Sequence, residues 1–245
     1  MIVNILKDTG WIDELEPYNA QLRQVHEKYY PMEGNDWFDP DKYRQNPLSR
    51  LYPELDPVIN YRPDYKLIFY LPNYVPLFLV RELYGDKRDI LIEDVGTGNG
   101  NLIYFLAKSG FKNFNTFENF SECPKDLFND MMDVSGVTCE VNNLKVNPVV
   151  LNNSSSPRFC YIAPGIDAEG LVLLEDARYY QVSRDLSNVE LICFYSNKHW
   201  EVIAPYILKP LGYSFLCRDT DHVGVAWCRN DKLKEFNEKL SKWMV

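Results

Sequence analysis

Several protein classes are excluded by what this sequence lacks. Its six cysteines (Cys123, Cys139, Cys160, Cys193, Cys217 and Cys228) contain no Cys-x-x-Cys pair, so the spacing of a zinc site is missing. Most sit among apolar residues, as in Leu191-Ile192-Cys193-Phe194-Tyr195, the setting of free buried thiols in a reducing compartment. No stretch approaches the ~18 apolar residues that mark a membrane span. The opening run, Met1-Ile2-Val3-Asn4-Ile5-Leu6, is too short for a secretory leader, so a cytoplasmic protein is expected. Positive charge is also scarce: 26 Lys and Arg stand against 35 Asp and Glu, for a net charge of −9. Nucleic-acid binding draws most of its affinity from Lys and Arg on phosphates, and no basic run is present. No nucleic-acid partner and no anionic membrane partner are therefore expected. There are only three histidines, and no Ser/His/Asp or Cys/His set stands at a recognisable spacing. No internal repeat is visible.

What remains is an ordinary globular composition. With 245 residues, 46% of them hydrophobic, the chain can bury one large core, alone or with an extension. Residues 1–65 differ from the rest. They are rich in Pro, Tyr, Asp and Trp, as in Trp37-Phe38-Asp39-Pro40, with one helix expected at about 12–29. So many large aromatics argue against a disordered tail. A cap packed on the main domain is the expectation, with Trp37, Phe38 and Tyr52 placed either to close over a small acceptor or simply to pack.

From residue 66 to 245 apolar runs alternate with helical stretches. Leu67–Leu71 is too short for periodicity to separate strand from helix. A helix follows at about Pro72–Tyr84, with Pro72 or Pro76 in its first turn and Gly85 ending it. Further helices are expected at Asn101–Ser109, Pro124–Val134, His199–Leu208 and Asp231–Trp243. Strands are expected at Ile90–Ile92, Asn113–Phe117, Val137–Val141, Phe159–Ile162, Glu190–Tyr195, Tyr213–Arg218 and Val223–Cys228. This alternation predicts a doubly wound α/β fold: a mostly parallel sheet of seven strands covered on both faces. The closing hairpin suggests an antiparallel strand at one edge.

The strongest chemical signal is Asp94-Val95-Gly96-Thr97-Gly98-Asn99-Gly100, between a predicted strand and a predicted helix. Glycines let the chain turn sharply and let a ligand approach the backbone, and the helix behind them presents free N–H groups. Such a loop lies at the carboxyl end of a strand, where doubly wound folds bind ligands. A dinucleotide fingerprint reads G-x-G-x-x-G, whereas here the third glycine is Gly100 and the pattern is G-x-G-x-G. With Asp94 ahead of it, the segment resembles motif I of the class I S-adenosylmethionine-dependent methyltransferases. The resemblance implies a Rossmann-like methyltransferase fold that binds S-adenosylmethionine. Asp94, Gly96, Thr97, Gly98, Gly100 and Asn101 would form the loop that wraps the methionine part. Glu118, at the end of the second strand, would accept the ribose hydroxyls. Asn142, with Asn143, stands where the family often has an acid reading the adenine amine. The resemblance is specific over about Ile90–Phe120 and otherwise rests on the order of elements.

Methyl transfer needs a base only when the acceptor must lose a proton first. His199, at a predicted helix start after a strand, and Asp167, in Ala163-Pro164-Gly165-Ile166-Asp167, are the candidates, with His222 behind them. Each could equally be an ordinary surface or packed residue. The acceptor is expected to be a small molecule. Three other readings stay open: a methyltransferase-like protein that binds a partner without turnover, an NAD-dependent oxidoreductase, and an aminopropyltransferase.

Overall fold

In the computed structural model of the chain, residues 2–3, 14, 16–29, 71–98, 100–118, 124–139, 141–142, 158–162, 189–195, 204–206, 208–219 and 224–244 are described. The strands are β1 (Ile2–Val3), β2 (Leu91–Val95), β3 (Asn113–Phe117), β4 (Val141–Asn142), β5 (Arg158–Ile162), β6 (Val189–Tyr195), β7 (Tyr213–Asp219) and β8 (Gly224–Arg229). The helices are α1 (Glu16–Tyr29), α2 (Leu71–Tyr84), α3 (Asn101–Lys108), α4 (Lys125–Ser135) and α5 (Leu233–Leu240).

One eight-stranded sheet runs in the order β1-β7-β8-β6-β5-β2-β3-β4. All neighbours pair parallel except β8, which is antiparallel to both β6 and β7. This corrects two expectations. Among the described residues there are eight strands instead of seven, because Ile2 and Val3 pair with Arg218 and Asp219 on the outer side of β7. The antiparallel strand is also not at the edge. Gly224–Cys228 of β8 is buried throughout, as an interior strand requires, so both its faces are covered. β4 is two residues long and starts at Val141, where the expected strand ends. The hydrophobic run 67–70 and most of the helix expected at His199–Leu208 lie outside the described residues.

Strand alternation divides the sheet into two faces. Ile92, Phe159, Leu191, Cys193, Ala226 and Cys228 join one apolar cluster with all five helices. The opposite face of β2 carries Glu93 instead, fully buried, with Arg158 Nη1 at 3.8 Å from its Oε1. Within the covered face, α2 starts one residue before Pro72, which sits in the first turn as expected. Pro76, however, lies inside the helix. Its missing N–H costs one helical bond, and the buried run Val75–Val80 offsets that by packing.

The N-terminal region takes part in this core. Leu22 and Val25 of α1 are buried in the same cluster. The Tyr104 hydroxyl in α3 lies 2.8 Å from the Tyr18 carbonyl, and Lys28 pairs with Asp130 of α4 at 3.1 Å. At the other end, the Lys239 ammonium donates to the Leu83 carbonyl (2.7 Å), one of the carbonyls the end of α2 leaves unpaired. Trp243 meets Phe78 edge-on and donates its indole N–H to Glu82. The remainder of residues 1–65, including Trp37, Phe38 and Tyr52, lies outside the described residues.

Candidate functional site

β2 and β3 end side by side, in register from Leu91↔Asn113 to Val95↔Phe117. That register sets the glycine loop and Glu118 next to each other at the carboxyl edge of the sheet. The loop folds as a tight turn. The Thr97 hydroxyl donates to the Asp94 carbonyl (2.8 Å) and the Gly100 N–H to the Thr97 carbonyl (3.1 Å). The first helical bond, Tyr104 N–H to the Gly100 carbonyl at 3.0 Å, then opens α3. Asn101 is the first residue of that helix and is buried.

Gly96, Gly98 and Gly100 all have positive φ, at 78°, 58° and 84°, a region costly for residues with a side chain. Two of them differ in surroundings. A Cβ on Gly100 would stand 2.7 Å from Met132 Cε and 3.3 Å from a Phe128 ring carbon of α4, so this glycine allows α3 and α4 to pack. A Cβ on Gly98 would meet no atom within 4 Å, so the space before it is open. The Gly98 N–H donates to Glu118 Oε2 at 2.7 Å. One carboxylate oxygen thereby fastens the loop to the end of β3.

Asp94, close to Glu118, is 1% exposed, and among the described residues no hydrogen bond reaches either of its carboxyl oxygens. Burial pushes its carboxyl up to about 8; the nearby Glu118 carboxylate adds to the rise, and the Thr97 side chain offsets part of it. Cys139, in the approach to β4, is a second acid facing it: burial pushes that thiol up to about 12, with Asp94 contributing. On the other face of β2, burial carries Glu93 up to about 7 against the opposing pull of Arg158.

The structure thus brings together Asp94, Gly96, Thr97, Gly98, Gly100, Asn101 and Glu118. Asn142 pairs with Phe117 in the next strand, at the same edge. His199, Asp167 and His222 lie outside the described residues, as does Asn143. Sequence reading missed two features. The proximity of Cys139 to Asp94 depends on the β3–β4 pairing and leaves no sequence signal. Glu93 did leave one, being a charged residue in the otherwise apolar run Ile90-Leu91-Ile92. Among the described residues no group of three or more His, Cys, Asp or Glu could hold a metal ion.

In the sheet β2 is central, with β3 and β4 to one side, β5 and β6 to the other, and the return strand β8 between β6 and β7. The crystal structure of WbdD is similar with a TM-score of 0.50 and 14% identity, over 75% of this chain and 47% of that one. WbdD is a bifunctional kinase-methyltransferase. Two others are the ribosomal protein L11 methylase from Lactobacillus delbrueckii subsp. bulgaricus and the methyltransferase domain of bacterial CtHen1-C. For the first the TM-score is 0.44 and the identity 15%, covering 66% of this chain and 80% of that one. For the second they are 0.41 and 12%, covering 62% and 96%. No family model matches the sequence, and a comparison with curated proteins gave no match. The chain has the fold of the class I S-adenosylmethionine-dependent methyltransferases. It spans about half the length of the WbdD chain it resembles.

Proposed function

We propose that this chain is an S-adenosylmethionine-dependent methyltransferase acting on a small-molecule acceptor. The observation that carries the reading is the Gly98–Glu118 bond, made across an opening that a side chain at Gly98 would enter. The residues suit the ligand. Gly98 leaves its backbone approachable, and the Glu118 carboxylate beside it is an acceptor of the kind that suits a diol. The cofactor supplies a methyl group already activated by its sulfonium. The rest is the chain's work: Gly96–Gly100 bind and orient, Glu118 holds the ribose end, and α3 and α4 keep the loop rigid from behind. Alignment of this kind can contribute ~7–11 kcal/mol to lowering a barrier. His199 and Asp167 are proposed as bases for an acceptor that must lose a proton. Residues 1–65 are proposed as a cap on the binding domain at 66–245, and the cytoplasm as its location. No described helix is long and apolar enough to cross a membrane.

Calorimetry tests this directly. Binding of S-adenosylmethionine or S-adenosylhomocysteine, with none of NAD, is the expected result. Tight NAD binding with no response to either adenosyl compound would establish the oxidoreductase reading instead. Turnover with a panel of small acceptors separates an enzyme from a binding protein of the same fold.

A further inference from the structure

Two carboxyl groups lie at the carboxyl edge of β2 and β3, and they are not equivalent. Glu118 reaches the loop and accepts a hydrogen bond from Gly98. Asp94 is buried close to it, and among the described residues no hydrogen bond within normal geometry reaches either of its carboxyl oxygens, though the Thr97 side chain lies nearby. The ionisable groups acting on Asp94 are Glu118 from the end of β3 and Cys139 from the approach to β4. Thr97, in the loop itself, is neutral. Among the described residues no cation acts on Asp94 to compensate a negative charge there.

An isolated buried carboxylate is costly, and the usual relief is to take up a proton. A ligand carrying net positive charge at the glycine loop would reverse that balance, because a nearby cation favours the ionised form. S-adenosylmethionine is such a ligand, with a sulfonium and an ammonium against one carboxylate. S-adenosylhomocysteine lacks the sulfonium and is neutral overall. Resting on the cofactor reading above, we propose that Asp94 carries a proton while the site is empty and releases it to solvent when the cationic cofactor binds. The uptake step is then a proton exchange: the O–H bond of the Asp94 carboxyl breaks, the proton leaves to buffer, and the carboxylate faces the incoming charge. Burial raising the carboxyl to about 8 agrees with this direction. The consequence is that cofactor is held more tightly in mildly alkaline than in mildly acidic solution, and that product, having lost the sulfonium, favours return of the proton. Release of S-adenosylhomocysteine is thereby helped by the same group that admitted S-adenosylmethionine.

The experiment has two arms. In the first, S-adenosylmethionine is titrated by calorimetry at pH 7 in phosphate and in Tris, whose ionisation enthalpies differ. Close to one proton released per ligand is expected, fewer with S-adenosylhomocysteine, and an affinity for S-adenosylmethionine rising ~tenfold per pH unit between 6 and 7.5. Identical heats in both buffers would overturn the proposal. In the second arm, Asp94→Asn is melted beside the parent without ligand from pH 5 to pH 9. Asparagine imitates the neutral acid, and in the unfolded parent Asp94 ionises above its ordinary value of 3.8, so the melting point of the variant relative to the parent should rise steadily from pH 5 towards pH 8. A gap that stays constant with pH overturns the protonated state, and this holds even for a variant of lower overall stability. If no adenosyl compound binds, the cofactor reading and the release step both fall, while the melting gap still decides whether Asp94 holds a proton.

Discussion

Of the three loop glycines at positive φ, Gly98 and Gly100 perform different tasks, and single methyl groups can separate them. At Gly98 a Cβ finds open space, so Gly98→Ala bears only the left-handed backbone cost of ~1–2 kcal/mol. At Gly100 the same backbone cost is joined by collision with Met132 and Phe128, which adds ~1–3 kcal/mol. Thermal melts of the two alanine variants should therefore rank Gly100→Ala well below Gly98→Ala. Equal melting temperatures would mean that α4 yields to the intruding methyl. For adenosyl-cofactor affinity, measured by calorimetry, the order reverses among folded variants: Gly98→Val fills the opening and should abolish binding. Glu118→Ala should weaken it roughly ten- to a hundredfold, the loss of a hydrogen bond to a charged group. A Glu118→Ala variant that binds like the parent would remove the ribose from this position.

At the scale of elements, α1 is the informative case. Its residues Leu22 and Val25 are fully covered by the helices that carry the glycine loop from behind. Leu22→Ala should cost ~2–5 kcal/mol, read by urea unfolding, because the cavity opens between packed helices. A cost below ~1 kcal/mol would make α1 a loosely attached layer. The helix was expected at about 12–29, and it ends at Tyr29 as expected but starts at Glu16, four residues later. The motif-bearing elements, β2, α3 and β3, were legible because a glycine turn and alternating periods mark them locally. Features set by distant pairing were not. Val141–Asn142 is a strand only because Thr116 and Phe117 lie beside it, and β8 is interior only because β6 accepts it. Glu118 was read from its position after a strand, yet its bond to Gly98 depends on the β2–β3 register, which no local pattern encodes. Pro76 was read as a possible helix start, and packing of the residues around it overrode that local preference.

For the molecule as a whole, charge sets two expectations. A net charge of −9 without a basic run predicts no salt-sensitive binding to DNA or RNA. A gel-shift experiment giving sub-micromolar affinity that falls steeply with salt would reverse this. The second concerns the buried pair Glu93–Arg158. Folding raises Glu93 from 4.5 to about 7, so the folded state binds its proton more tightly than the unfolded chain. The resulting stabilisation is complete below pH ~4.5 and is lost as pH rises through about 7. Replacing Glu93 alone by Leu removes the carboxylate that faces the buried Arg158 guanidinium and should cost ~3–5 kcal/mol, whereas the double replacement with Arg158→Leu should cost less and flatten that stretch of the pH profile. Denaturant unfolding of the parent and both variants at pH 5 and pH 8 distinguishes these outcomes. A double variant as unstable as the single one would show the pair itself to be required.

β1 also bears on the order in which the chain acquires its structure during synthesis. Ile2 and Val3 are synthesised well ahead of their partners Arg218 and Asp219, with most of the sheet made in between. At ~5–20 residues per second the opening segment waits on the order of ten seconds or more for its place in the sheet. Helix α1 has its seat once α4 is made at Ser135, several seconds sooner. The nascent chain thus acquires the seat of its outer helix before that of its outer strand, and one covalent segment spans both events.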